Sequence, residues 1–338
     1  MTTIIETRGL GRDYVLHESK GGGSQGGRLS LWRRRRVVKP ALTGLDLTVS
    51  AGDAVGYLGA NGAGKSTTIK MLTGILTPTR GTVRTCGLDP VPQRRELARR
   101  IGVVFGQRSQ LWWDLPLGES YPILAAMHRL TPAAWRPRFD TLVDELDLAG
   151  FLTTPVRQLS LGQRMRGEVA AALVHSPELL ILDEPTIGLD MLSKERLRHF
   201  LVRERSERGT TLFLTTHDLA DVQRLCERMV IIDHGRMAFD GNEAQLAETT
   251  GAKRRLQVDV TEPVTTLPLP GGAELTVNPD EPTRLQIEFA APLTAAQVLT
   301  AVQQHVEVVD LALSEPTIEE LVGTIYWRGN SASISSRT

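Results

Sequence analysis

Cysteine is nearly absent. Cys86 and Cys226, far apart in the chain, are the only two in 338 residues. That excludes a disulfide scaffold and any closely spaced thiolate metal site, and it suits a reducing compartment. Net charge is absent too, with 39 Lys plus Arg against 39 Asp plus Glu. The chain therefore lacks a global electrostatic footprint for nucleic acid, and no nucleic-acid partner is expected. Long apolar runs are also missing. The longest uncharged stretch, Phe289–Val306, holds Pro292, three Gln and His305, so no membrane span is expected. Glu6 and Arg8 stand where a secretory signal would be apolar, so none is expected either. No long internal repeat is visible. Lysine is scarce, at six positions, so a lysine inside a motif stands out.

What remains is ordinary globular composition, 41% hydrophobic and 23% charged. The length predicts about two domains. Residues 2–16 read as a strand, with a turn around Arg12-Asp13-Tyr14, and 20–28 (KGGGSQGGR) as a flexible linker inside an insertion at about 17–40. From Pro40 short apolar strands alternate with helical patterns: a strand at 54–58, a helix at 65–75, strands near 82–86 and 103–105, and mostly helix over 117–175. Apolar runs follow at 179–182 and 211–214, as expected of strands buried on both faces, and a hairpin signal at 230–240. The alternation predicts an α/β fold with a largely parallel sheet. The pattern changes near 249–253. A first domain is expected over 1–250, with a helical part at about 108–177. A small α+β domain is expected over 251–328 and a disordered polar tail over 329–338.

The strongest motif is Gly59-Ala60-Asn61-Gly62-Ala63-Gly64-Lys65-Ser66, which matches G-x-x-x-x-G-K-[ST] between a strand and a helix. Glycines let backbone N–H groups turn inward around a phosphate, and the helix start adds about half a positive charge. Lys65 is expected at the β- and γ-phosphates, and the Ser66 hydroxyl on Mg2+. The apolar run at 179–182 ends in Asp183 and Glu184. Asp183 is expected to hold Mg2+ and Glu184 to act as general base on the attacking water. Taken alone, the two acids would equally serve to cap the next helix.

Leu159-Ser160-Leu161-Gly162-Gln163 opens a helical pattern just before the acidic strand. Ser160 with Gln163 also makes a capping box. The segment resembles the LSGGQ signature of ATP-binding cassette (ABC) proteins. Its companions match in order: Gln107 resembles the Q-loop glutamine, Gly188-Leu189-Asp190 the D-loop, and His217 the switch histidine. Tyr14 resembles the aromatic that stacks on adenine. The resemblance covers about residues 2–250. It implies an ABC-type nucleotide-binding domain, with a mixed sheet and a helical subdomain, that binds ATP and Mg2+ and hydrolyses ATP. Gly59 to Thr67 would hold the phosphates, and Ser66, Gln107 and Asp183 would hold Mg2+. Lys65, Glu184 and His217 would be catalytic. Ser160, Gly162, Gln163 and Asp190 would reach the nucleotide from a second copy, or a homologous subunit, packed head to tail. Leu161 departs from the signature's glycine. Ser160 and Gly162 are kept, so closure on ATP is expected to survive.

Gln107 to Pro116 carries adjacent Trp112 and Trp113. These either pack in a core or form an exposed anchor, and in this family the segment after the Q-loop faces a transmembrane permease. GVVFGQRSQLWWDLP and LSLGQRMR together resemble bacterial drug-resistance exporter ATPases with a separate permease. That implies a peripheral protein on the cytoplasmic face of the membrane. Trp32 with Arg33–Arg36 is either a solvated charge run or a short interfacial segment touching anionic lipid or the permease. The rival function is a soluble cassette ATPase acting on nucleic acid or ribosomes. A single ATPase core and a short gap from Ser66 to Ser160 argue against it. The signature, D-loop and His217 argue against a small-molecule P-loop kinase.

Overall fold

In the computed structural model the described residues are 2–18, 35–106, 109–290 and 292–335. Two compact units form, Met1–Asp240 and Gly241–Thr338. The division falls before the composition change near 250.

The first unit begins with β1 (Thr3–Glu18), β2 (Arg35–Ser50) and β3 (Ala54–Gly59), followed by α1 (Lys65–Leu72) and β4 (Arg80–Thr85). Next come α2 (Arg94–Leu97), β5 (Ile101–Phe105), α3 (Leu117–Met127), α4 (Pro132–Glu145) and α5 (Leu161–Leu173). It closes with β6 (Leu179–Asp183), α6 (Met191–Arg208), β7 (Thr211–Thr215), α7 (Leu219–Leu225), β8 (Arg228–Asp233) and β9 (Arg236–Gly241). Six strands form a sheet in the order β5-β6-β7-β3-β8-β9. The β5/β6, β6/β7, β7/β3 and β3/β8 pairs are parallel.

Successive residues of a strand point to opposite faces, and β6 shows it. Leu180 and Leu182 join one core with Leu197, Phe200 and Leu214, while Leu179 and Ile181 join the other with Val55, Tyr57 and Phe213. Burial on both faces explains why these strands are unbroken apolar runs rather than alternating ones. The helices α3, α4 and α5 fill the first core with Leu117, Tyr121, Trp135 and Val169. A buried ion pair at 2.7 Å, Arg138 on α4 with Glu204 on α6, holds this helical part to the sheet-covering helix.

A separate antiparallel sheet has the order β2-β1-β4. Here the sequence expectation of a turn at Arg12–Tyr14 is corrected. β1 runs through it to Glu18, with register irregularities between Thr7 and Asp13 that absorb the extra residues, and pairs with β2 as far as Glu18 opposite Arg35. Both flanks of the expected insertion are therefore strand. The Gly/Ser segment, Trp32, Arg33 and Arg34 lie outside the described residues.

The second unit contains α8 (Glu243–Thr250), β10 (Arg254–Val260), β11 (Ala273–Val277), β12 (Arg284–Phe289), α9 (Ala295–Gln303), β13 (Val308–Ser314) and α10 (Ile318–Ser335). Its antiparallel sheet has the order β11-β12-β10-β13, and Leu256, Val258, Leu285, Ile287, Val298 and Val302 form its core. α8 lies against α10 and so belongs to this unit. α10 also extends through most of the segment expected to be a disordered tail. That segment holds no proline, and a nucleated helix adds one bond per residue. Among the described residues no helix is long and apolar enough to cross a membrane.

Candidate functional site

The glycine loop joins the C-terminal end of β3 to α1. Gly64 is the residue before the helix, at φ 114, and a Cβ there would lie 2.7 Å from the Ala41 carbonyl oxygen. Only glycine fits that combination of left-handed backbone and close approach. No side chain caps α1, so its first N–H groups are open to an anion. The Lys65 ammonium bends back to donate to the loop's own carbonyls, Gly59 at 2.5 Å and Ala60 at 3.5 Å. Burial lowers its pKa, against the attraction of Glu184 and Asp183. The Ser66 side chain is exposed beside it, and Tyr14 lies 3.4 Å from the Thr67 hydroxyl.

β6 and β7 are parallel neighbours whose C-terminal ends lie side by side, Asp183 opposite Thr215. Asp183 accepts from the Thr215 hydroxyl at 2.6 Å. Glu184 follows in the left-handed region, φ 57, with its N–H bound to the Thr215 carbonyl at 2.9 Å. Its carboxylate meets His217 Nε2 at 3.0 Å. Burial raises the Glu184 pKa, while His217 and Lys65 pull it down. Ser66 and Asp183 offer a hydroxyl and a carboxylate, the hard oxygen donors Mg2+ takes with water and phosphate completing its shell. Such a donor set fits the ion. Among the described residues no three His, Cys, Asp or Glu gather as a protein-only metal cage.

Ser160 precedes α5, and the capping box is formed: its Oγ accepts from Gln163 N–H at 3.2 Å, and Gln163 Oε1 accepts from Ser160 N–H at 2.9 Å. The cap occupies only an acceptor of the serine, so its O–H remains a donor. Capping and ligand donation are thus compatible. Asp190 caps α6, accepting from the Ser193 N–H at 2.8 Å and the Ser193 hydroxyl at 2.7 Å, and these bonds hold its carboxyl below the usual range.

A family model described as "ABC transporter" matches residues 42–187. The daunorubicin resistance ATP-binding protein DrrA3 of Streptomyces coeruleorubidus is 36% identical over 294 residues, covering 84% of this chain and 90% of that one. The chain belongs to the ABC transporter ATP-binding family. The Nod factor export ATP-binding protein I of Cupriavidus metallidurans is 39% identical over 261 residues, 75% of this chain and 83% of that one. Among solved structures, an ATP binding subunit of an ABC transporter superposes with a TM-score of 0.61 at 27% identity, covering 73% of this chain and 93% of that one. CbiO1 from Clostridium perfringens, part of the ABC transporter complex cbiONQ, gives 0.58 at 26% identity, covering 74% and 92%.

As an ABC ATPase the chain brings Gly59 to Thr67, Asp183, Glu184 and His217 together past the C-terminal ends of β3, β6 and β7, with Tyr14 of β1 reaching Thr67. Gln107 lies outside the described residues. The two tryptophans divide between the alternatives. Trp112 packs on the first core, while Trp113 is 51% exposed with the Arg164 guanidinium 5.7 Å from its ring. Arg36 is exposed on β2, opposite His17. Sequence reasoning missed Thr215, which orients Asp183, and Asp221, which is fully buried behind the site. An acid four residues after His217 in a short helix carries no pattern that separates buried from exposed.

Proposed function

We propose that this chain is the ATP-driven subunit of an exporter, working on a separate transmembrane permease as a head-to-tail pair with a second copy or a homologous subunit. The Glu184–His217 contact of 3.0 Å, beside the glycine loop, carries this proposal. A carboxylate and an imidazole at the mouth of a phosphate cradle suit hydrolysis of a γ-phosphate better than simple nucleotide storage.

In the proposed cycle Tyr14 stacks on adenine, and the backbone N–H groups from Gly59 to Thr67 cradle the phosphates. Lys65 exchanges its loop carbonyls for the β- and γ-phosphates. Ser66, Asp183 and Gln107 would hold Mg2+, which when bound would supply positive charge against the phosphates. Glu184 takes a proton from the attacking water, and His217 donates to the γ-phosphate. Ser160 and Gly162, with Gln163 and Asp190 supporting them, close on the partner's nucleotide, so ATP bridges the pair and hydrolysis removes the bridge. Trp113, backed by Arg164, is the proposed permease anchor. Arg33–Arg36 would sit near anionic lipid on the cytoplasmic face.

The names of the relatives support export, since they concern drug resistance and Nod factor export. Tagged chain purified from solubilised membranes of its host should carry a polytopic permease, and Trp113→Ala should reduce that recovery. Recovery of ribosomes or nucleic acid in place of a permease would contradict it.

A further inference from the structure

Asp221 sits on α7, fully buried, and makes none of the contacts assigned above. Its carboxylate joins two loops and a helix. Oδ2 accepts from the Thr186 hydroxyl and, at 3.1 Å, from the Thr216 hydroxyl. Oδ1 accepts from Arg198 Nε at 2.7 Å, on α6. Thr186 stands two residues after Glu184, and Thr216 immediately before His217. Thr216 Oγ1 also accepts from the Asp218 N–H at 3.0 Å, so the hydroxyl's own proton goes to Asp221. Lys194, also on α6, donates to Asp218 at 2.6 Å.

We propose that Asp221 is a positioning residue for ATP hydrolysis: one carboxylate oxygen ties the loop carrying Glu184 to the loop carrying His217 and fixes their spacing. Glu184 supplies an independent reason to need such a tie. Its left-handed backbone is costly and persists only where surrounding structure over-determines it. The bonds that do so are Glu184 N–H to Thr215 on one side and Thr186 to Asp221 on the other. A buried charge is tolerated because Arg198 pairs with it and both threonines satisfy its remaining lone pairs. Arg198 stands on the helix capped by Asp190, so the same carboxylate also connects the D-loop helix to the hydrolytic pair.

The inference rests on Glu184 as base, so the test carries Glu184→Gln as a control. Steady-state hydrolysis and binding of a fluorescent ATP analogue are measured on the full chain carrying Asp221→Asn, Thr186→Val, Thr216→Val and the two threonine changes together. The asparagine amide removes one acceptor, so either the threonines or Arg198 goes unpaired. Asp221→Asn should lower kcat by about 100-fold, the scale of a misplacement of about 1 Å. Analogue affinity should stay within about threefold of wild type. The double threonine variant should lose about as much as Asp221→Asn, and combining all three should add little, because they act as one unit.

Unchanged kcat in Asp221→Asn beside an inactive Glu184→Gln would overturn the positioning role alone. So would affinity falling in step with kcat. A fully active Glu184→Gln would overturn the base assignment and this inference with it. Should Asp221→Asn not fold, Thr186→Ser against Thr186→Val decides. The serine should recover most of the rate the valine loses, and equal rates would overturn the proposal.

Discussion

Leu161 and Gly188 interlock within one chain: a Cβ built on Gly188 would fall 2.4 Å from Leu161 Cδ2. Leu161 is the one departure from the signature pattern, and Gly188 begins the D-loop, at φ 70. The leucine side chain therefore joins signature and D-loop in cis, where a signature glycine would leave a gap. Gly188→Ala meets two costs, a left-handed backbone and the leucine, and should destabilise by about 1–2 kcal/mol. Adding Leu161→Gly removes the steric cost but not the backbone cost. Thermal midpoints should show partial recovery in the double variant, and no recovery would mean the contact does not matter.

Lys65 and Glu184 separate binding from chemistry. Lys65→Ala removes the one ammonium inside the glycine loop and should abolish measurable ATP binding. Glu184→Gln keeps shape and hydrogen-bonding but cannot take a proton. It should bind ATP normally and hydrolyse it about 10²–10⁴-fold more slowly. Equilibrium binding and phosphate release on the same two variants check both statements.

His175, just past the C-terminal end of α5, stacks on His128 with ring centroids 3.9 Å apart and contacts the Ile101 carbonyl at 3.0 Å. Burial, then the neighbouring His128, lowers its pKa from 6.5 to about 4, against the pull of the Ile101 carbonyl. The folded form thus stays neutral where the unfolded form already binds a proton. Stability from this site is complete above pH 6.5 and is lost as pH falls towards 4. The loss should be on the order of 3 kcal/mol. Urea midpoints at pH 7 and pH 5 should fall less in His175→Gln than in wild type.

Much of the site was legible because its chemistry is local. The glycine loop, the acids ending β6 and the Ser160 box each lie in a few consecutive residues whose types the backbone geometry demands. The parallel sheet was legible because strands buried on both faces must be apolar throughout, as Leu179–Leu182 are. Long-range partners were not legible. Arg12–Tyr14 reads as a turn until β2 is available to pair with it. Trp112 and Trp113 are identical by composition and differ only in which face of the fold they meet. Asp221 gains its place from Thr186, Thr216 and Arg198, scattered over two loops and a helix. The tail beyond Gly329 reads as disordered by polarity, yet α10 continues into it.

The central claim is that ATP joins two copies through Ser160 of one and the glycine loop of the other. Sedimentation velocity of the Glu184→Gln chain, with Mg2+ and with or without ATP, tests it most directly. The account predicts a monomer without nucleotide and a dimer with saturating ATP, and Ser160→Arg in the same background should abolish the dimer. A Glu184→Gln chain that binds ATP yet stays monomeric at every concentration, or a dimer indifferent to Ser160→Arg, would contradict it.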